Sequence, residues 1–390
     1  MKTITRKSEL NRLEKKLSVT PIVAILGPRQ CGKTTLAHQF ADKKHKEEVY
    51  FFDLENPTDL ARLENPTLTL EELKGFIIID EIQRKPELFP ILRHLVDKQK
   101  KKTKYIILGS ASRELINKSS ESLAGRISFL ELGGFSLGEV REELHKPLWR
   151  RGGFPESFLL RTEKMSYEWR QNFITTFLER DIPNLGIQIP SQMLRRFWLM
   201  LSHYHGQIFN ASEIGRSLNI SDTTAKRYLD LLTGTFIIRQ LQPWYYNTSK
   251  RLVKRPKIYF RDSGILHALL SIENEEDLMS HPKLGASWEG FALEQVIKIL
   301  NLRQEEAFFW AVHTGGEIDF TFQKKGKLFG IEFKYNEAPK MTPSMKSALE
   351  ELSLEHIYVV YPGKGNFKLH KKITVLSIEN IGYLSNLSSM

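Results

Sequence analysis

The chain has 390 residues, 41% of them hydrophobic, with 57 Lys and Arg against 46 Asp and Glu for a formal net charge of +11, and a single cysteine. This composition excludes a disulfide-stapled scaffold and a disordered polyelectrolyte, and the length suffices for two or three domains that each bury a core. No run approaches the roughly 18 apolar residues of a membrane span, and the charged start MKTITRKSELNRLEKKL lacks a secretory core, so a cytoplasmic protein with an anionic partner and no membrane is expected.

In chain order, IVAILG (22–27), VYFFDL (49–54), GFIIID (75–80) and KYIILGS (104–110) each fit a short strand buried on both faces. Helical patterns separate them, which predicts a parallel sheet with helices on both faces and right-handed crossovers. The lysine run KQKKKTK (98–104) fits a solvated loop after a helix better than a DNA site. From about 130 to 185 the pattern is helical, interrupted by RGGFPES (151–157), and MSYEWRQNFITTFLERDI predicts a helix.

NASEIGRSLNISDTTAKRYLDLL (210–232) predicts two helices joined by a short turn, with Ser221 as N-cap of the second. With strands from FIIRQLQPWYY and KIYFRD behind them, these have the layout of a winged helix-turn-helix that exposes Thr223, Thr224, Lys226 and Arg227 to DNA. SKRLVKRPK adds Lys250, Arg251, Lys254, Arg255 and Lys257 as candidate phosphate contacts on the wing; a lid or interdomain spacer is the other interpretation. Beyond about 261 the order is helix, strand hairpin, helix, strand. The expected fold is therefore α/β: a P-loop sheet with a helical lid over 1–165, a winged helix-turn-helix module over 166–260, and a second α/β unit over 261–390.

GPRQCGKTT (27–35) matches G-x-x-x-x-G-K-[ST] between a strand pattern and a helical one, the context a phosphate-binding loop requires. Gly27 and Gly32 let the backbone curl, so that the loop through Pro28, Arg29, Gln30 and Cys31 and the start of the helix at Thr35 face phosphate. Lys33 would neutralise the β- and γ-phosphates and the Thr34 hydroxyl would bind Mg2+. Cys31 is either a harmless small residue or an oxidisable thiol. FIIIDEIQ delivers Asp80 and Glu81 to the C-terminal edge of the sheet, where ligands bind in open α/β sheets. Asp80 would hold Mg2+ through water and Glu81 would polarise the attacking water. Ser110 or Ser112 is a candidate phosphate sensor or a helix N-cap. Arg126 is a candidate arginine finger, across a subunit boundary of a homo-oligomer or after lid closure, or a surface salt bridge.

Together, GPRQCGKTT, FIIIDEIQ, LGSAS, LAGRISFLELGGFS and RGGFPES resemble the AAA-type ATP-binding proteins of bacteria and archaea that carry a C-terminal domain of unknown function. The resemblance spans nearly the whole chain. It implies ATP and Mg2+ as ligands, nucleotide-site roles for Lys33, Thr34, Asp80 and Glu81, and a place for Arg126 in the family's Gly-Arg motif.

The stretch EIDFTFQKKGKLFGIEFK (317–334) alternates apolar and charged residues around Lys325-Gly326, which predicts a tight hairpin. In that register Asp319 faces Glu332 and Glu317 faces Lys334 on one side, while Ile318, Phe320, Ile331 and Phe333 fill the other. Opposed acids repel unless a cation joins them, so Asp319, Glu332 and the Phe333 carbonyl are candidate ligands for Mg2+ or Mn2+, with Lys334 steadying a nucleophilic water. The spacing D-x12-E-x-K resembles the restriction-endonuclease-like PD-(D/E)xK superfamily, although Ile318 stands where a proline usually precedes the first acid. That resemblance implies a restriction-endonuclease-like domain, a third acid, Glu289, from the preceding helix, and metal-dependent nuclease chemistry. The expected function is Mg2+-dependent ATP hydrolysis coupled to DNA binding, with a nuclease site. The alternative is a nucleotide-switched protein-interaction scaffold whose nuclease-like domain is inactive.

Overall fold

The computed structural model describes residues 4–44, 48–98, 103–110, 123–184, 189–244, 253–312 and 315–388. The chain divides into two compact units, Met1–Phe135 with Gly234–Ile237, and Ser136–Thr233 with Ile238–Met390. Ser112, Lys250, Arg251 and most of the 98–104 lysine run lie outside the described residues.

In the first unit, β1 (Ile22–Leu26), β2 (Val49–Asp53), β3 (Gly75–Asp80), β4 (Thr103–Gly109) and β5 (Ile127–Glu131) run in the order β2-β3-β4-β1-β5, all neighbours parallel. β1 is buried throughout, and β3 and β4 at all but one position, as uninterrupted apolar runs inside a parallel sheet should be. VYFFD departs from expectation. It is an edge strand in which only Phe52 is buried. β5 is not among the expected strands, because Ser128 and Glu131 break its apolar run; pairing with β1 from Ile22↔Ile127 to Leu26↔Glu131 recruits it. Helix α1 (Lys7–Val19) buries Leu10, Leu13 and Leu17, spaced three and four apart, and packs on β1 and β5. Helix α2 (Lys33–Lys43) starts within the glycine-rich loop. Parallel pairing sets the ends of β1, β3 and β4 along one sheet edge, and so gathers the three motifs that follow them.

In the second unit the helix expected near 165–182 is Glu163–Thr176, continued by a π-helical turn at Phe177–Asp181. The expected helix pair is α3 (Ala211–Leu218) and α4 (Asp222–Gly234), and Ser221 Oγ accepts the Thr224 N–H at 3.1 Å. The turn between them needs a glycine upstream, since a Cβ on Gly215 would lie 2.7 Å from the Ile220 carbonyl oxygen. Ala211, Ile214, Leu218, Ala225, Tyr228, Leu229 and Leu232 are buried, whereas Thr223, Lys226 and Arg227 are exposed.

The strands of this unit are β6 (Gln207–Ile208), β7 (Ile238–Pro243), β8 (Lys257–Phe260), β9 (Phe308–Ala311), β10 (Glu317–Lys324), β11 (Lys327–Phe333), β12 (His356–Tyr361), β13 (Phe367–His370) and β14 (Ile373–Ser377). They form one sheet in the order β13-β14-β12-β11-β10-β9-β7-β8-β6. β7 pairs antiparallel with β8 and parallel with β9, so a single sheet spans residue 260. The hairpin has the expected register, Phe320↔Ile331 through Lys324↔Lys327, around Lys325 and Gly326 at φ 49° and 78°. Ile318 shares a core cluster with Met345 and Ala348 of helix α6, where α5 is Leu284–Leu300 and α6 is Pro343–Glu351. Alternation therefore turns Asp319 to the opposite face of the sheet. Among the described residues no helix is long and apolar enough to cross a membrane.

Candidate functional site

The loop after β1 owes its shape to glycine. A Cβ on Gly27 would lie 2.0 Å from the Leu132 carbonyl oxygen, so no larger residue fits. Gln30 (φ 61°) and Gly32 (φ 94°) take left-handed conformations directly ahead of α2, a backbone pattern that forms anion-binding nests at helix N-termini. Lys33 is buried, and its Nζ donates to the carbonyls of Gly27 (3.0 Å) and Pro28 (2.8 Å). Arg29 reaches Glu55 at 3.4 Å, and Thr34 and Thr35 are exposed on the first turn of α2.

Thr34 Oγ1 donates to Asp80 Oδ2 at 2.6 Å, and Asp80 Oδ1 accepts the Glu81 N–H at 2.8 Å. Glu81 is itself left-handed (φ 53°), a conformation uncommon for a residue with a long side chain. One of its carboxylate oxygens accepts the Ser110 hydroxyl at 3.3 Å and the other the Gln83 side-chain amide. Burial raises the Asp80 carboxyl above its ordinary value, opposed by the Thr34 hydrogen bond. Burial likewise raises Glu81, opposed by the charge of Lys33. A raised carboxylate within reach of a phosphate loop is suited to accept a proton from water. The donor set fits magnesium, since a hydroxyl and a carboxylate supply hard oxygen ligands beside the loop.

One partner of this site has no local signature in the sequence. Arg6 is buried behind the loop, where Nη1 donates to the carbonyls of Cys31 (3.1 Å) and Gly133 (3.0 Å) and Nη2 to that of Gly134 (3.4 Å). Gln83, the last residue of FIIIDEIQ, is a further partner, clamping Glu81 from the adjoining 3-10 turn. Cys31 is buried with its thiol donating to the Leu132 carbonyl at 3.3 Å, which matches the small packing residue and not the oxidisable thiol.

Arg126 is not brought to this site. It immediately precedes β5, whose first residue pairs with Ile22 at the far end of β1, about 17 Å from the loop at about 3.3 Å per strand residue. Its guanidinium is bidentate to Asp97 at 2.7 and 2.9 Å, so the surface salt bridge is the arrangement this structure holds.

The hairpin acids meet lysines. Lys257, at the start of β8, is buried; its ammonium pairs with Glu317 and lies 3.7 Å from Glu289 Oε1 and 4.0 Å from Asp319 Oδ1. Lys334 Nζ lies 2.6 Å from Glu332 Oε2 and 3.8 Å from Asp319 Oδ2. The Tyr259 hydroxyl donates to Glu289 at 2.6 Å and the Phe333 N–H to Asp319 at 2.9 Å. Burial and the charge of Asp319 raise Glu289 and Glu332 well above the carboxylate range. Burial pulls the two lysines down, but the surrounding carboxylates outweigh it and hold both ammoniums above the ordinary lysine value.

Three expectations are corrected here. Glu289, Asp319 and Glu332 do not assemble as ligands: among the described residues no group of three or more His, Cys, Asp or Glu side chains could hold a metal ion. Glu317 pairs with Lys257 and not with Lys334, which binds Glu332 and Asp319. Lys257 is buried in this cluster and so is no exposed phosphate contact, whereas Lys254 and Arg255 are exposed.

An AAA domain matches residues 19–141, the domain of unknown function DUF8612 matches 142–276, and the domain of unknown function DUF4143 matches 284–381. The chain is 45% identical over 378 residues to the uncharacterized proteins Mb2031c of Mycobacterium bovis and Rv2008c of Mycobacterium tuberculosis, covering 97% of this chain and 85% of each of theirs. Among solved structures, the Walker-type ATPase PABY2304 of Pyrococcus abyssi is similar with a TM-score of 0.48 and 14% identity, over 69% of this chain and 96% of that one. With this identity along nearly its whole length the chain belongs to the family of the two mycobacterial proteins, and its phosphate-loop unit matches an AAA domain.

Proposed function

We propose that this protein binds and hydrolyses ATP with Mg2+ and that the nucleotide state switches what its second unit binds. The observation that carries this is the hydrogen-bonded line from Thr34 through Asp80 and Glu81 to Ser110, beside the phosphate loop. Lys33 exchanges the Gly27 and Pro28 carbonyls for phosphate oxygens, while the N–H groups of the loop cradle the rest. Thr34 and Asp80 would hold magnesium, which when bound neutralises charge on the phosphates. Glu81, steadied by Ser110 and Gln83, orients and deprotonates the attacking water.

For the output we favour DNA, in the cytoplasm, with α3, α4, β7 and β8 as a winged helix-turn-helix whose exposed Thr223, Lys226 and Arg227 face the duplex. The division into 1–165, 166–260 and a restriction-endonuclease-like 261–390 belongs to the same proposal, with one sheet shared by the last two parts. The lysine-filled hairpin favours a second possibility, a nucleotide-switched scaffold with an inactive nuclease-like domain.

Nucleotide binding and turnover by variants test the first unit. Lys33→Ala should abolish ATP binding, and Glu81→Gln should retain ATP while turnover falls by about 100-fold or more. Wild-type turnover by Glu81→Gln would remove the base assignment. DNA binding should fall steeply between about 50 and 200 mM salt, and no binding in any nucleotide state would leave the scaffold.

A further inference from the structure

The superfamily resemblance puts a divalent metal between the hairpin acids, and the side chains disagree. Three carboxylates, from Glu289 on α5 and Glu317 and Asp319 on β10, converge on the Lys257 ammonium, which enters from β8. Lys334 occupies the space between Asp319 and Glu332. Both hydrogen bonds that orient the acids, from Tyr259 and from the Phe333 N–H, are made with these lysines in place. An ammonium supplies the positive charge such acids need, yet offers no vacant coordination position for water or phosphate.

We propose that Lys257 is an internal cation that takes the metal's place, so that the hairpin cluster binds no divalent ion and acts as an ion-pair clamp joining β8, α5 and the β10–β11 hairpin. The clamp deepens the scaffold possibility, from which its metal test is separable, because the clamp is probed without nucleotide or DNA.

The full-length chain carrying Asp80→Asn, which silences the phosphate-loop donor set, is titrated with Mn2+ while the free-ion paramagnetic resonance signal is followed. No uptake is expected. Adding Lys257→Met to that background should still create no uptake, since no three acids here are placed to ligate one ion, but it strips Glu289, Glu317 and Asp319 of their cation and should lower the denaturation midpoint of the second unit. Uptake by Asp80→Asn alone that Asp319→Asn abolishes would overturn the proposal, as would a folded Lys257→Met chain whose denaturation midpoint is unchanged. Should Lys257→Met fail to fold, lysine acylation read by mass spectrometry decides. Lys257 should stay protected with and without Mn2+, and exposure of Lys257 by Mn2+ would overturn the clamp.

Discussion

The phosphate loop and the hairpin cluster each bring a buried lysine close to carboxylates near strand ends, but the lysines are tied in opposite ways. Lys33 donates to two backbone carbonyls, whereas Lys257 stands among three carboxylates. Leaving a carbonyl forfeits about 1.5–3 kcal/mol per charge-assisted hydrogen bond, which a phosphate oxygen restores. Leaving buried carboxylates strands their charge, at about 3–5 kcal/mol. The first lysine is therefore free to exchange partners, and the second is fixed.

The sharpest way to break this contrast is to remove each ammonium. Lys257→Met should destabilise the second unit by about 3–5 kcal/mol. Lys33→Met should cost less, about 1–3 kcal/mol, since it leaves neutral carbonyls behind, and yet erase the rise in melting temperature that ATP produces, both followed by calorimetry. All six tryptophans (149, 169, 198, 244, 288 and 310) lie in the second unit, so their fluorescence during chemical denaturation follows that unit alone. A larger loss from Lys33→Met would sink the distinction.

His267 and the phosphate-loop acids should also respond to pH with opposite sign. In the second unit, His267 Nδ1 faces the Arg150 carbonyl (3.0 Å) and must donate, so Nε2 accepts from Ser287 (2.6 Å), whose oxygen also takes the Trp149 indole N–H (2.9 Å). Burial lowers His267 to about 3, reinforced by the charge of Arg170 and opposed by the Arg150 hydrogen bond. Its folded value is depressed, so stability is full above the unfolded value near 6.5 and declines as pH falls toward 3, by up to about 1.4 kcal/mol per pH unit. Asp80 and Glu81 are raised, so their share is lost as pH climbs through their folded values. Tryptophan-detected unfolding of His267→Gln should show a shallower acid slope than wild type, and an unchanged slope would acquit His267.

Arg126→Ala should have the smallest effect. Its guanidinium is at the opposite sheet edge from the loop, so ATP turnover by a dilute single chain should be unchanged. A loss of turnover that grows with protein concentration would instead place Arg126 in a neighbouring chain's site.

Local chemistry was legible. The loop glycines, the strand ending in Asp80 and Glu81, the Ser221 cap and the Lys325-Gly326 turn each follow from residues a few positions apart. The mutual repulsion inferred for Asp319 and Glu332 was reasoned from the same short range, and it misjudged the remedy. The cations that stand beside these acids are Lys257 and Lys334 of this chain.

By itself, then, the sequence determined the parallel sheet's buried strands, the phosphate loop and the hairpin register, because apolar periodicity and backbone freedom act over one turn or one strand. Only the tertiary structure decided which cation meets which acid or carbonyl. Arg6 reaches Gly133 across 127 positions and Lys257 reaches Glu317 across 60. A lysine or arginine can satisfy many acceptors with equal chemistry, and which of them it finds is set by how the sheet and helices pack, not by its neighbours in the chain.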